Sequence, residues 1–326
     1  MNAKKQKPSV RRRLYRWALF ALTLGAVGWF VARNAGRLAE CEFRPDALPL
    51  VLAFCAVLAA YLVRFLAWTR LAAVFGLRAG ARRAARAYFL SMLGRYIPGK
   101  IGLALVRIEA YGGHPAGRVA LATGMELACA VAAAFLLAFA GLAFAPVDLP
   151  PVVRWLPLPC IALIAVLLHP ALLRRAANAI LRLAGRPPLE RAPRYRTNLG
   201  LALLYTLPGL LHGAGLFLLL RALADVPLSH YPAVTGAYYL ASIAGLVAIF
   251  APGGLGVREG ILFLVLPAIV GRETAIVAAI AMRLVTVAAE GALAAIAAAA
   301  APRGGASGTP AEQREAGGGR TVPPPE

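Results

Sequence analysis

Apolar runs of about 20 residues, the length that crosses the hydrocarbon core of a bilayer, recur along most of this 326-residue chain. They fall at about 15–33, 48–68, 117–145, 152–170, 198–221 and 231–251, with a shorter run at about 258–270 and an alanine-rich one at about 274–301. The chain is 60% hydrophobic and only 15% charged, so a soluble domain would have to expose much of this apolar surface. The predicted fold is all-α, a polytopic transmembrane helix bundle of about eight spans, with two Pro/Gly-broken segments of re-entrant or half-helix type. The expected organisation is a basic tail over 1–14, a transmembrane domain over 15–301 and a disordered Gly/Pro-rich tail over 302–326.

Net charge is +21. The arginines concentrate in the N-terminal tail and in the loops 69–87 and 171–197, while 145–151 and 222–230 carry no Lys or Arg. That alternation is the positive-inside pattern, and it predicts that both termini lie in the cytoplasm. Nucleic acid is not expected as a partner. The basic tail precedes the apolar run at Trp17–Ala32 without a clean cleavage site, so an uncleaved first helix is expected. The four cysteines show no C-x-x-C spacing and the histidines are scattered, which predicts no metal and no cofactor.

Two short sequences break the apolar pattern in matching fashion. Pro98, Gly99 and Gly102 stand in Tyr96-Ile97-Pro98-Gly99-Lys100-Ile101-Gly102, and Pro252, Gly253, Gly254 and Gly256 in Phe250-Ala251-Pro252-Gly253-Gly254-Leu255-Gly256. Pro and Gly free backbone groups that hydrocarbon cannot satisfy, so such breaks survive only where protein or a polar cavity covers them. A pair of them in corresponding halves points to a transporter-type site. Tyr88-Phe89-Leu90-Ser91 precedes the first and Tyr239-Leu240-Ala241-Ser242 the second, although the spacings to the prolines differ. Arg107 and Arg258 follow the breaks, with Glu109 and Glu259 nearby. An arginine beside a fresh helix start suits a phosphate, since its fork binds two oxygens. The bland alternative is an Arg107–Glu109 or Arg258–Glu259 pair that ends a helix at the interface.

Ionisable residues inside a bilayer cost about 2.5–3.5 kcal/mol each on insertion scales and usually face an interior. Glu126 sits deep in the third span and needs a basic partner or a proton. Arg283 and Glu290 lie on one face of the last span, about 10 Å apart along its axis, and are expected to face other groups. Arg64, near a span end, is expected to snorkel, and Tyr88, Tyr96, Tyr238, Tyr239 and the tryptophans to anchor at the interface. Arg78, Arg82 and Arg86 form a helical stripe suited to a lipid surface. His212 is expected to bond a neighbouring helix. No nucleophile–base pair marks a catalytic residue.

The segments Gly94-Arg95-Tyr96-Ile97-Pro98-Gly99-Lys100-Ile101 and Ala251-Pro252-Gly253-Gly254-Leu255-Gly256-Val257-Arg258-Glu259-Gly260 resemble signatures of the lysylphosphatidylglycerol synthase transmembrane-region family, also called flippase-like membrane proteins. The similarity spans about residues 10–300. It implies translocation between leaflets of an anionic or phosphate-containing lipid, whether a phospholipid or a polyprenyl- or hopanoid-type lipid. Arg95, Lys100, Arg107 and Arg258 would then meet the headgroup, and Glu126, Glu259, Arg283 and Glu290 would shape or gate the cavity. The first signature departs from the common pattern, with Lys100 and Ile101 after Gly99 in place of a Gly-Glu pair. No aminoacyl-transferase domain and no ATP site are expected, so movement would be downhill or coupled to an ion gradient, with Glu126 as a candidate proton relay. A membrane glycosyl- or acyl-transferase, or an accessory subunit of a lipid-modifying enzyme, are the alternatives.

Overall fold

A computed structural model of the protein describes residues 46–94, 102–144, 157–183, 193–248, 252–254 and 256–300, together with residues 32 and 155. The expected first span, Tyr96, both terminal tails, and Arg95, Pro98, Gly99 and Lys100 of the first break lie outside the described residues. The described residues form a helical bundle. Its elements are α1 (Ala47–Val74), α2 (Ala81–Leu93), α3 (Gly102–Ala110), α4 (Ala116–Ala143), α5 (Pro157–Leu167), α6 (Pro170–Leu183), α7 (Tyr195–Leu204), α8 (Thr206–Leu223), α9 (Tyr231–Val247), α10 (Val257–Val265), α11 (Pro267–Val270) and α12 (Arg272–Ala299).

Among the described residues, four helical stretches are long and apolar enough to cross a membrane: Ala47–Val74, Ala116–Gly141, Tyr195–Leu223 and Arg272–Ala299. At 1.5 Å per residue, the 28 residues of α1 reach ~42 Å. The 13 residues of α2 reach only ~20 Å and the nine of α3 only ~13 Å, so neither spans a core of ~30 Å alone. The apolar stretch from Tyr88 onward is thus divided between two short helices that pack on each other, the half-helix pair that its sequence predicts. The second break divides the chain likewise, between α9 and the nine-residue α10.

Local chemistry sets the ends of α1. The Asp46 side chain caps its N-terminus by accepting from the Leu48 N–H at 3.2 Å. At the other end Gly76 takes φ +66, and the N–H groups of Gly76 and Leu77 return to the carbonyls of Ala73 and Ala72. This Schellman closure lets buried Leu77 fold back on the helix. It also removes Arg78 from the expected stripe. Arg78 lies in the turn before α2, and of the three only Arg82 and Arg86 are on that helix, both exposed.

α8 packs along α1 and against α9, and α4 packs on α9. Small residues permit these contacts, as they do between membrane helices generally. At the α4–α9 crossing a Cβ on Gly236 would sit 3.0 Å from both the Ala138 carbonyl oxygen and Gly141 Cα. On the outside, Leu62, Leu66, Leu105, Leu127, Leu203 and Leu264 are exposed, the apolar surface that lipid tails require.

Gly141→Leu therefore pushes α9 off α4 and is expected to destabilise the protein by about 1–3 kcal/mol. Thermal unfolding in detergent reads this as a lowered midpoint, with Gly124→Leu as control, because a Cβ at Gly124 meets nothing within 4 Å.

Candidate functional site

The residues singled out by charge gather in two clusters, one behind each break. In the first, α3 presents Arg107 inward, 1% exposed. Its guanidinium lies 3.9 Å from the centroid of Trp68 and 4.9 Å from that of Tyr88, so two rings enclose it. Arg107 Nε donates to Ser91 Oγ at 3.0 Å, and its Nη1 pairs with Glu126 on α4. Tyr88 Oη donates to the other Glu126 oxygen at 3.3 Å, and Arg64 Nε on α1 lies 3.6 Å from it. Trp68 is fixed in turn by donating from Nε1 to Tyr111 Oη at 3.0 Å.

Several expectations change here. Glu126 does find its basic partner, but that partner is Arg107 itself, so the Arg107–Glu109 pairing gives way to one between helices. Arg64 does not simply snorkel: its Nε lies 3.6 Å from Glu126 Oε1 while its side chain stays 29% exposed. Tyr88 is 1% exposed and serves as a packed wall and donor, not an interface anchor.

The second cluster is built differently. Pro252–Gly254 form a single 3₁₀ turn, and Gly254 takes φ +72. The turn passes close to the end of α9, where a Cβ on Gly254 would come 3.0 Å from Gly245 Cα. Gly256, at φ +79, is the N-cap of α10, and its N–H is accepted by Glu259 Oε2 at 2.8 Å. The other Glu259 oxygen lies 3.6 Å from Arg283 Nε on α12, and Arg283 Nη1 donates to the Gly253 carbonyl at 3.5 Å. The glutamate thus ties together the break, its following helix and the last long helix.

Arg258 stands beside this pair. Its Nη2 donates to Ser242 Oγ at 2.8 Å, and its guanidinium lies 5.3 Å from the Tyr238 ring centroid. Among the described residues no ion pair joins it to a carboxylate, because Glu259 turns to Arg283 and to the Gly256 N–H. A cavity of about 20 Å³, room for about one water, lies between Tyr238, Arg258, Glu259, Met282, Arg283 and Thr286. Tyr238 is buried, again in place of an interface position, while Ser242 accepts from Arg258 and donates to the Tyr238 carbonyl at 2.8 Å.

Between the clusters, Glu290 accepts from Tyr61 Oη on α1. The Tyr61 ring meets His212 edge-on at 5.0 Å, and His212 stacks on Tyr238 at 5.6 Å. His212 Nδ1 bonds the Pro208 carbonyl of its own helix at 2.8 Å, so its link to neighbouring helices runs through these rings. Among the buried or half-buried residues described, four arginines (Arg64, Arg107, Arg258, Arg283) meet three glutamates (Glu126, Glu259, Glu290), one cation more than carboxylates.

Trp68, Tyr61 and the hydroxyls of Ser91 and Ser242 contribute to these clusters without standing out as ionisable or glycine-rich positions. One signal for the serines was present: each lies 16 residues before the arginine that it holds.

Removing one partner of a buried pair strands the other charge, at about 3–5 kcal/mol. Arg107→Leu and Glu126→Leu are each expected to lower the unfolding midpoint in detergent, and the double variant to recover part of the loss. Additive losses would show that the two side chains do not depend on each other.

Comparison with known families matches residues 16–294 to the model described as Lysylphosphatidylglycerol synthase TM region. No curated protein matches the chain.

Proposed function

Since the chain belongs to the lysylphosphatidylglycerol synthase transmembrane-region family and is a multi-pass membrane protein, we propose that it moves an anionic, phosphate-containing lipid between the leaflets of the bacterial inner membrane, with both termini cytoplasmic. The observation that carries this reading is a small recess that holds buried charges beside a wholly apolar groove, on neighbouring faces of α12. Met282, Arg283 and Thr286 line the small recess with Arg258, Glu259 and the apolar Ala241, Leu262 and Ala279. Ala281, Leu284 and Val285 line an open groove of about 430 Å³ with Leu50, Val51 and Phe54 of α1. A lipid has this same division: a charged head that needs a fixed cation and a tail that needs only apolar surface.

The roles of the charged residues follow. Arg258 is the headgroup contact. Arg107 already holds a carboxylate and steadies the first break, with Glu126 its counter-charge instead of a free relay. Glu259 and Arg283 hold the second break against α12. A cavity with room for about one water is a closed form, and a headgroup enters only when α10 and α12 separate. Arg95 and Lys100 remain proposed headgroup contacts on the sequence resemblance.

Scrambling in proteoliposomes tests this reading. With headgroup-labelled phosphatidylglycerol, the wild type is expected to exchange the label between leaflets at a measurable rate. Arg258→Ala should slow exchange about tenfold or more, the effect of one lost charge-assisted contact. Labelled phosphatidylcholine is the comparison for headgroup preference. A folded wild type that scrambles no lipid sinks the reading; consumption of a soluble donor by the same protein would favour a membrane transferase.

A further inference from the structure

The two clusters are copies of one another. Tyr88, Ser91, Gly94, Gly102, Val106 and Arg107 each recur 151 positions later, as Tyr239, Ser242, Gly245, Gly253, Val257 and Arg258. The prolines are out of register, which hides the repeat from a reading centred on them. The Ser91–Arg107 and Ser242–Arg258 hydrogen bonds show that the correspondence is three-dimensional. One detail shifts: the ring beneath Arg258 is Tyr238, one position before the counterpart of Tyr88.

The packing follows the same relation. α4, after the first break, lies on α9, before the second; α12, after the second, lies on α2, before the first. α1 and α8, which correspond to each other, pack together. Tyr61 and His212 are themselves 151 positions apart, and their rings touch. Equivalent residues meet in this way only near a pseudo-two-fold axis.

In the last helix of each half the register becomes 157, with the extra residues falling where the second half inserts α11. Ala122, Met125, Leu127 and Ala132 of α4 match Ala279, Met282, Leu284 and Ala289 of α12. The exposure pattern matches too, since Ala122, Met125 and Ala132 are buried, as are Ala279, Met282 and Ala289. In this register the counterpart of Glu126 is Arg283. The counterpart of Glu259, in the break register, is Ile108.

The two halves therefore carry opposite charges at one equivalent place. In the first, the break arginine faces a carboxylate, which Arg64 also approaches at 3.6 Å. In the second, the place of that carboxylate belongs to Arg283, and Glu259 turns to Arg283 and to the N-cap of α10. Among the described residues, Arg258 is therefore held by Ser242 and the Tyr238 ring and by no ion pair to a carboxylate.

We propose that the second half is the anion site and the first is its permanently filled copy: Arg258, with Arg283, receives one singly charged phosphate group in the place that the Glu126 carboxylate takes against Arg107. The proposal deepens the lipid reading and rests on it only for the source of the phosphate. Inorganic phosphate and a phosphodiester headgroup share the chemistry, a pair of anionic oxygens that matches a guanidinium fork.

Calorimetric titration of the full chain in detergent tests this, with two probes used separately, inorganic phosphate and dihexanoyl phosphatidylglycerol. The wild type is expected to bind one equivalent, and Arg258→Gln to weaken binding about tenfold or more. The decisive variant is Glu259→Ile/Arg283→Glu, which rewrites the second half in the charges of the first. It should unfold cooperatively and bind neither probe. Wild-type affinity in Glu259→Ile/Arg283→Glu or in folded Arg258→Gln overturns the proposal, as does a wild type that binds neither probe. Binding of phosphate without the lipid upholds the anion site and removes the lipid reading. Lipid binding without scrambling upholds the site and removes transport.

Discussion

Arg107 and Glu126 meet where water cannot reach them, and much of the first half is arranged around that meeting. A buried charge is tolerable only when paired and hydrogen-bonded. Here the pairing takes Ser91 from α2, Tyr88 from the same helix, Trp68 and Arg64 from α1, and Glu126 from α4. Three helices are thus held to the guanidinium of a fourth. A helix of only nine residues has little apolar surface with which to anchor itself, so α3 depends on this polar grip for its position.

The second half solves the same mechanical problem with different chemistry. Glu259 fixes the start of α10 by accepting its N-cap N–H and reaches Arg283 with the other oxygen. Anchoring and charge compensation are then both assigned to the glutamate, which leaves the neighbouring Arg258 with a hydroxyl and a ring. Proteins that act on charged ligands in a membrane need a fixed cation of this sort.

The bundle and its two breaks are legible in the sequence because length and hydropathy alone limit what can cross a bilayer, and because Pro and Gly cannot hide there. The importance of Glu126, Arg283 and Glu290 is legible for the same reason, since a charge in hydrocarbon announces itself. Their partners are not. Glu126 meets Arg107, 19 residues away, and Glu290 meets Tyr61, 229 residues away. Such pairings depend on how helices cross, and crossing is set by small residues such as Gly236 that look alike everywhere in an alanine-rich chain. Anchoring at the interface by Trp68, Tyr88 and Tyr238 fails as an expectation for one common reason, since all three are buried. Distance from a span's end says nothing about which side of the helix meets a neighbour.

The exchange of partners between halves, α4 on α9 and α12 on α2, has a mechanical meaning. Each half carries a long helix that belongs, by packing, to the other, so the two are laced together like clasped hands. Rocking one half against the other as a rigid body would open both crossings at once, including the backbone contact at Gly141 and Gly236. The short helices α3 and α10 lie outside the lacing, each tied to the frame through one buried charged residue, Arg107 or Glu259. In a scaffold tied in this way, a short helix moves only when that one tie lets go, and the frame around it stays put.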